Sequence, residues 1–254
     1  MIKRVFRSKF DIENLSRLRT SIPNGIDSFD YKGVIVNKPW GYEYLAFENK
    51  HVAIWILHLK QNHTTSMHCH PNKKSSLIVL SGKVVCSTLE GWISLTHRQG
   101  LIIDEAVFHS TKAISEGGVF LMEVESPPNK KDLVRFKDEY GRESQGYEGA
   151  EKMSRNTAGY EYVDFHGTDF SKRYIKKIRE CNLSVTYHNM RNIHTKLKQE
   201  SGDIICLLQG RLHDYEGNIL LSTGDAAMIQ KVKSVSKIFS FGDVLYLSLS
   251  WRKK

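Results

Sequence analysis

The stretch that decides the fold is MHCHPNKKSSLIVLSG, residues 67–82, together with GLIIDEAVFH, residues 100–109. Both contain a short run of aliphatic residues beside a glycine, which predicts strands bounded by turns. In a strand, side chains two residues apart point to the same side. His68 and His70 therefore present both imidazoles to one face, and Cys69 points to the other. His109 follows an apolar run and a turn, so it can close the pair from a neighbouring strand.

Three imidazoles converging from adjacent strands form a set of metal ligands. Neutral imidazole is a common ligand for transition metals in proteins. The sequence therefore predicts a divalent transition metal, one of Zn, Fe, Ni, Co or Mn, bound by His68, His70 and His109.

Outward from this stretch, short strand-like runs punctuated by turn residues fill most of the chain. They begin at Gly33 with GVIV, YEYLAF and HVAIWILHL and continue to GVFLMEVE. A polar stretch between residues 126 and 168 interrupts them, and LSVTYHNM, DIICLLQGRL, NILLSTGDAAMIQ and VLYLSLSW follow. Many short strands at regular spacing predict an all-β sandwich or barrel.

The segments SLIVLSGKV (76–84) and IICLLQGRL (204–212) match by residue type, which indicates a repeat of whole β-domains. We predict an N-terminal extension over residues 1–32, a metal-binding barrel over 33–128, a connector over 129–168 and a second barrel over 169–254. The extension should contain one helix around residues 11–19, with Asp11 as its N-cap and SIPNG at its end.

Aligned with the first half on its glycines, the second half carries lysines at the three histidine positions: Lys196, Lys198 and Lys233. A protonated lysine has three donors and no lone pair. The second barrel should therefore hold no metal and serve packing, dimerisation or a lid.

The first half resembles the cupin superfamily, whose first motif is HxH, three or four residues, Glu, six residues and Gly. His68, His70 and Gly82 match this motif, and Gly100 with His109 matches the second motif, a Gly-bearing turn with a His. The resemblance implies a bicupin, two tandem jelly-roll barrels.

The chain departs from the cupin motif at one position, because Ser75 stands where the family usually has a glutamate ligand. Three neutral imidazoles would leave the charge of the ion uncompensated and favour an open, catalytic position. A substitute carboxylate could come from Glu105, Glu123 or Glu125.

Within the superfamily, the chain resembles the isomerase domain of type II mannose-6-phosphate isomerases, often fused to a mannose-1-phosphate guanylyltransferase. The resemblance rests on KPWGYEY (38–44), the cupin core, MEVESP (122–127) and VRFKDEYGR (134–142). It implies a metal-dependent isomerase of a phosphorylated sugar in polysaccharide precursor metabolism.

Aldose–ketose isomerisation requires a base that moves a proton between adjacent carbons. Glu123 is the leading candidate, and Glu105, His63 and Lys73 are alternatives.

The reaction also requires an anchor for the substrate phosphate. Lys73 and Arg135 could bind it, arginine by two parallel hydrogen bonds and lysine as a point charge. Alternatively, Arg135 forms a structural ion pair with Asp138 or Glu139.

Two other functions fit the same residues. A three-His site without a carboxylate also serves Fe(II) thiol dioxygenases among cupins, so a three-His Fe(II) dioxygenase is one alternative. The other is a non-catalytic sugar-binding or scaffold bicupin, in which His68 and His109 would be dispensable for function.

The composition limits the classes of molecule that the protein is expected to bind. The formal charge is +9, and residues 171–254 hold 15 Lys and Arg against 7 Asp and Glu, which suits either a phosphorylated small molecule or a solvated basic face. No nucleic-acid motif, signal peptide or apolar membrane span is present, and the four cysteines form no CxxC pair. We expect a cytoplasmic protein with reduced thiols that binds neither nucleic acid nor membrane. Exposed barrel edges favour a homodimer.

Overall fold

Strands dominate the computed structural model, which describes residues 1–18, 29–143, 145–172 and 174–251. Within those residues lie 21 strands, three α helices and one 3₁₀ turn. The all-β prediction is confirmed.

The first half contains eleven strands, all of which fall on the predicted apolar runs except the first, the short fifth and the tenth. They are β1 Ile2–Val5, β2 Ile35–Lys38, β3 Gly41–Glu48, β4 Ala53–Leu59, β5 Met67–Cys69, β6 Lys74–Ser81, β7 Lys83–Thr88, β8 Trp92–Thr96, β9 Gly100–Ile103, β10 His109–Ala113 and β11 Val119–Ser126.

The remaining elements complete the chain. Strands β12 Val134–Lys137 and β13 Met153–Ser154 lie in the connector, beside a 3₁₀ turn at Ala150–Lys152. The second half contains β14 Tyr174–Ile178, β15 Cys181–His188, β16 Ile204–Gln209, β17 Arg211–His213, β18 Ile219–Ser222, β19 Ala226–Met228, β20 Phe239–Ser240 and β21 Val244–Trp251. The helices are α1 Lys9–Leu18, α2 Ile193–Gln199 and α3 Ile229–Lys233.

Two sheets build the first barrel. One has the strand order β1-β9-β6-β11-β4-β3-β2-β13, and the other has the order β12-β5-β10-β7-β8. Buried side chains from both sheets, such as Trp55, Leu77, Val84 and Leu121, form one apolar cluster between them. Because strand side chains alternate, the next residue of each strand points out of the barrel.

The second barrel repeats this topology in part. Its main sheet, β14-β15-β21-β16-β19, reproduces the order β3-β4-β11-β6-β9, and its small sheet, β18-β17-β20, corresponds to β8-β7-β10. Helix α2 occupies the place along the chain that β5 has in the first half. The internal repeat is therefore real, but a helix in the second barrel replaces the strand that carries His68 and leads into His70 in the first.

The three lysines aligned with the histidines consequently lie on helices rather than strands. Ile193 and Leu197 are both buried whereas Thr195 between them is exposed, which is the periodicity of a helix and not of a strand. On the same helix the Lys198 Nζ donates to the carbonyl oxygens of Lys233 at 2.6 Å and Val235 at 2.9 Å.

The two main sheets pack against each other through their outer faces. Ile56 and Met122 from the first barrel join Leu183, Leu247 and Leu249 from the second in one buried cluster. The run AIWILHL is apolar at every position except His58, because one face of the strand lines the barrel and the other meets the second barrel.

Polar contacts fix the alignment of the two barrels. The Trp251 Nε1 donates to the Leu80 carbonyl oxygen at 2.8 Å, and the Ser76 Oγ donates to the Gly224 carbonyl oxygen at 2.7 Å. Lys74 and Asp225 form an ion pair of 2.6 Å. Since these groups are largely buried, their pairing restricts how the sheets can slide.

The N-terminal extension packs on the first barrel. Strand β1 runs parallel to β9, and Leu15 and Leu18 of α1 cover Cys69 and Phe108. The predicted cap was wrong, because the helix begins at Lys9. The Ser8 amide donates to the Asp11 carboxylate at 2.8 Å and the Asp11 amide donates to the Ser8 Oγ at 3.2 Å, a reciprocal capping box. Arg19 and SIPNG lie outside the described residues.

The connector is tied to the first barrel rather than extended between the two. Strand β12 pairs with β5, and β13 pairs with β2. Among the described residues, no helix is long and apolar enough to cross a membrane.

The packing between the main sheets can be tested with two isoleucines. Ile204 is fully buried in the cluster between the barrels, whereas Ile175 is 59% exposed. Ile204→Ala should lower the free energy of unfolding by about 2–5 kcal/mol, because it leaves a cavity in a close-packed interface. Ile175→Ala, the same change on an exposed strand position, should cost less than about 1 kcal/mol. Urea unfolding measures the free energy of unfolding of both variants. Equal losses in the two variants would contradict the packing of Ile204 between the main sheets.

Candidate functional site

The structure brings the three predicted histidines together. His68 on β5 lies directly opposite His109 on β10, and His70 follows the end of β5. One ligand atom from each of the three side chains lies within 4.8 Å of the others. The ring centroids are 4.5 Å apart for His68 and His109 and 4.9 Å apart for His68 and His70. Within the described residues, this is the one group of three or more His, Cys, Asp or Glu with that spacing.

Backbone carbonyls fix the tautomer of each imidazole. The Nδ1 atoms of His68, His70 and His109 lie 2.8, 2.7 and 2.9 Å from the carbonyl oxygens of Ser66, Asp132 and Val107. A carbonyl oxygen only accepts, so each Nδ1 carries the proton and each Nε2 keeps a lone pair. This is the outer hydrogen bond that metal-binding histidines usually make.

Burial keeps two of these imidazoles neutral. It lowers the pKa of His68 well below its usual value, and the charge of a protonated His109 or His70 would lower it further. Burial, followed by the neighbouring His70, lowers the pKa of His109 to about 4. Neutral imidazole is the form that binds a metal.

The residues present fit a metal ion. The His70 Nε2 is buried and has no hydrogen-bond partner. A buried acceptor without a partner costs about 1–3 kcal/mol, and a cation between the three Nε2 lone pairs would remove that cost.

Glu123 is the carboxylate next to the histidines. It lies on β11, and its Oε1 is 3.8 Å from the His70 Nε2. Burial alone would raise its pKa, but His70 and the ammonium groups of Lys130 and Lys73 outweigh burial and hold the pKa of Glu123 well below its usual value. The side chain is therefore a carboxylate at neutral pH.

The other two candidate carboxylates do not contact the histidines. Glu105 is exposed in the turn before β10 and does not line the cavity at the histidines. Glu125 is buried, and its Oε1 pairs with the Nζ atoms of Lys73 at 2.9 Å and Lys130 at 3.0 Å. Ser75 lies opposite Glu125 in the pairing of β6 with β11, with a buried hydroxyl that has no partner. Of the three candidates, only Glu123 faces the histidines.

Lys73 is buried with its charge already paired. Besides Glu125, its Nζ donates to the Asn129 carbonyl oxygen at 2.9 Å. His63 is half-buried and does not line the cavity, and its Nδ1 lies 2.9 Å from the Gln61 carbonyl oxygen.

Arg135 lies beside the histidines, directly opposite His68 in the pairing of β12 with β5. Its guanidinium donates to the carbonyl oxygens of Gln145 and Gly146 and lies 3.5 Å from the Glu148 carboxylate. The predicted ion pair with Asp138 or Glu139 was therefore wrong.

The reason is that Asp138 forms an ion pair with Arg142 instead. Its Nη2 and Nε donate to the two carboxylate oxygens of Asp138 at 2.7 and 2.9 Å. Because Asp138 is paired in this way, Arg135 forms its contacts with the segment around Glu148 instead.

A cavity of about 60 Å³ connects these groups. Its charged lining consists of five cations and four carboxylates besides the histidines. They are Lys38, Lys73, Lys130, Arg135 and Arg142, and Glu43, Glu123, Glu125 and Glu148. Tyr147 completes the wall.

Sequence reasoning missed several lining residues for identifiable reasons. Lys38 and Glu43 belong to KPWGYEY and Arg142 to VRFKDEYGR, segments that carried the family resemblance without a role for these residues. Tyr147 and Glu148 come from the connector, where no strand or helix pattern marks them.

Glu43 joins two of the cations. Its Oε1 lies 3.2 Å from the Lys38 Nζ and 3.4 Å from the Lys130 Nζ, and the Tyr147 hydroxyl donates to it. Burial alone would raise its pKa, but Lys130 and Lys38 outweigh burial and lower the pKa of Glu43 to about 2. Buried charges in this wall are thus held in pairs.

No protein-family model and no curated protein matches the chain. Among solved structures, it is similar to a double-stranded β-helix protein from Klebsiella pneumoniae, at 12% identity and a TM-score of 0.35 over 47% of this chain and 96% of that one. A candidate sugar phosphate isomerase from Acidithiobacillus ferrooxidans shows 14% identity and a TM-score of 0.34 over 39% and 67%. The capsular polysaccharide assembling protein CapF from Staphylococcus aureus shows 14% and 0.36 over 41% and 34%.

The strand order of this chain defines its class of fold. Two sheets enclose each apolar interior, antiparallel except for the pairing of β1 with β9, and the second main sheet repeats the order of the first. The chain therefore has an all-β fold of two tandem barrels, each built from two sheets.

The pairing of Glu43 gives a pH-dependent contribution to stability. A carboxylate with a pKa of about 2 in the fold and 4.5 as its ordinary value stabilises the fold above pH 4.5, and this contribution is lost as the pH falls toward 2. Glu43→Gln should destabilise the protein at pH 7, and its deficit should be about 1 kcal/mol smaller at pH 3.5. Urea unfolding at both values checks this, with the exposed Glu90→Gln as control. A deficit that does not change with pH would contradict the pairing.

Proposed function

We propose that the first barrel binds one divalent transition metal through His68, His70 and His109 and that the second barrel binds none. The observation that carries this proposal is the buried, unpartnered Nε2 of His70, beside two other imidazoles whose Nδ1 protons are all engaged by carbonyl oxygens. When bound, the ion would supply a Lewis acid that polarises a carbonyl and an adjacent hydroxyl of the substrate.

We further propose that the chain is an aldose–ketose isomerase acting on a phosphorylated sugar in polysaccharide precursor metabolism. Glu123 is placed beside the histidines and is ionised, as a general base must be. It would take the proton from C2 of the aldose and return it to C1, while the proton of the C2 hydroxyl passes to the C1 oxygen. The reaction redistributes atoms within one molecule, so it needs no co-reactant.

The charges of the wall support an anionic, hydroxylated substrate. Five cations face four carboxylates around the cavity, and the adjoining His68 and His109 are neutral at pH 7. A bound divalent ion would add to the positive excess, which favours a phosphate ester over a neutral sugar. Paired carboxylates and lysines also offer hydrogen bonds to several hydroxyl groups.

Lys73 and Arg135 have different roles in this proposal. Lys73 is held by Glu125 and the Asn129 carbonyl, so it positions Glu125 in the wall. Arg135 directs a guanidinium into the cavity and serves as a phosphate anchor. Glu105, exposed outside the cavity, has no part in the reaction.

Metal binding can be measured without any substrate. His109→Ala and His68→Ala should each reduce the bound metal, determined by elemental analysis after loading with Zn²⁺ or Co²⁺, at least tenfold below one equivalent. His97→Ala removes an exposed histidine and should leave one equivalent. Absence of bound metal in the loaded wild-type protein would contradict the proposal. A second equivalent that persists in His109→Ala would contradict the absence of a site in the second barrel.

The isomerase reaction predicts exchange of solvent deuterium into sugar phosphates. Wild-type protein loaded with metal should incorporate deuterium at C1 or C2 of at least one aldose or ketose phosphate, detected by NMR. Glu123→Gln should slow this exchange about 10²–10⁴-fold, because the base is lost, while the bound metal remains at one equivalent. Glu105→Gln, with its exposed carboxylate, should exchange at the wild-type rate. No exchange by wild-type protein with any sugar phosphate tested would refute the isomerase, and loss of metal from Glu123→Gln would refute the role as base.

A further inference from the structure

One carboxylate in the cavity wall is surrounded by three cations from different parts of the chain. Glu148 accepts from the Arg142 Nη1 at 2.7 Å, contacts the Lys38 Nζ through its other oxygen, and lies 3.5 Å from the Arg135 Nη2. The side chains of all four residues are at most 10% exposed. Charges this deeply buried depend on one another for stabilisation.

Each of the three cations also has a partner other than Glu148. Asp138 holds Arg142 through two hydrogen bonds, and Glu43 holds Lys38 at 3.2 Å. Arg135 donates to two backbone carbonyls. The cations would therefore keep their places if the Glu148 side chain turned away, which makes them a preformed anion site.

A carboxylate does not fill this site completely. Its two oxygens contact three cations. The contact with Arg135 is the weakest of them, because the Nη2 lies 3.5 Å from the carboxylate and the buried Nε has no hydrogen-bond partner. A phosphate group has three terminal oxygens in a tetrahedral arrangement, one for each cation. Arginine in particular pairs with phosphate by parallel hydrogen bonds.

Glu148 also lies in the wall of two cavities. The cavity at the histidines, about 60 Å³, has room for only about four to six waters. A second cavity of about 330 Å³ shares Lys38, Arg142, Tyr147 and Glu148 with the first. The second cavity gives a sugar phosphate bound at the histidines room to extend past Glu148.

We propose that Lys38, Arg135 and Arg142 form a binding site for a phosphate monoester group and that the Glu148 carboxylate occupies this site until the ligand displaces it. The ligand would then reach from the histidines into the second cavity. The identification with a substrate phosphate rests on the proposed function, whereas binding of phosphate itself does not. Glu148 thus acts as an internal competitor that raises the apparent dissociation constant for phosphate.

Inorganic phosphate is the probe, with metal-free full-length protein and chloride at equal ionic strength as reference. Thermal unfolding across a phosphate titration gives an apparent dissociation constant for each variant. Glu148→Gln should bind phosphate at least tenfold tighter than wild type, because the competing charge is gone. Glu148→Asp, which keeps the charge on a shorter side chain, should fall between the two, and acetate should bind Glu148→Gln at least tenfold more weakly than phosphate.

Two further variants test whether the three cations account for the binding of phosphate. Arg142→Gln in the Glu148→Gln background should abolish the gain in affinity, and the exposed Glu139→Gln should match wild type. If Glu148→Gln folds only in phosphate, that supports the site. Equal phosphate affinity in wild type, Glu148→Gln and Glu148→Asp would overturn it, and so would acetate binding as tightly as phosphate. Because these measurements use neither metal nor turnover, their outcome is independent of the metal and deuterium experiments.

Discussion

The site depends on the pairing of one three-residue strand, β5, between β10 and β12. This pairing sets His109 on one side of His68 and Arg135 on the other, so two candidate metal ligands and a guanidinium meet at the same point. Cys69 points the other way and is fully buried under α1. The alternation of a strand thus places two imidazoles on the inner face while the outer face is fixed by apolar packing.

Burial of many charges around this strand imposes a second constraint. Each buried cation in the wall has at least one carboxylate partner, and Lys130 also lies 4.0 Å from the centroid of the Trp55 ring. Such pairs gain little net stability but lose much when one partner is removed. The wall is therefore arranged as a network, and its members Lys38, Arg142 and Glu148 also line the second cavity.

The second barrel contributes to this arrangement through packing. Its main sheet covers the outer faces of β4, β6 and β11, strands that carry apolar residues on both sides. Helix α2 takes the place of β5, and Lys196 and Lys198 lie on it. The barrel retains the sheet that is needed for the interface and lacks the strand that carries the histidines.

The amino-acid sequence by itself determined the strands with apolar periodicity, the duplication and the three histidines, because these follow from local spacing and residue type. It also indicated Glu123 and Arg135 as candidates through strand parity and a family resemblance. Only the tertiary structure decided that Asp138 pairs with Arg142, that Glu105 lies outside the cavity, and that Tyr147 and Glu148 lie in its wall. These relations join residues from separate segments without a periodic pattern, so they depend on how the connector folds back onto the barrel, which no local spacing encodes.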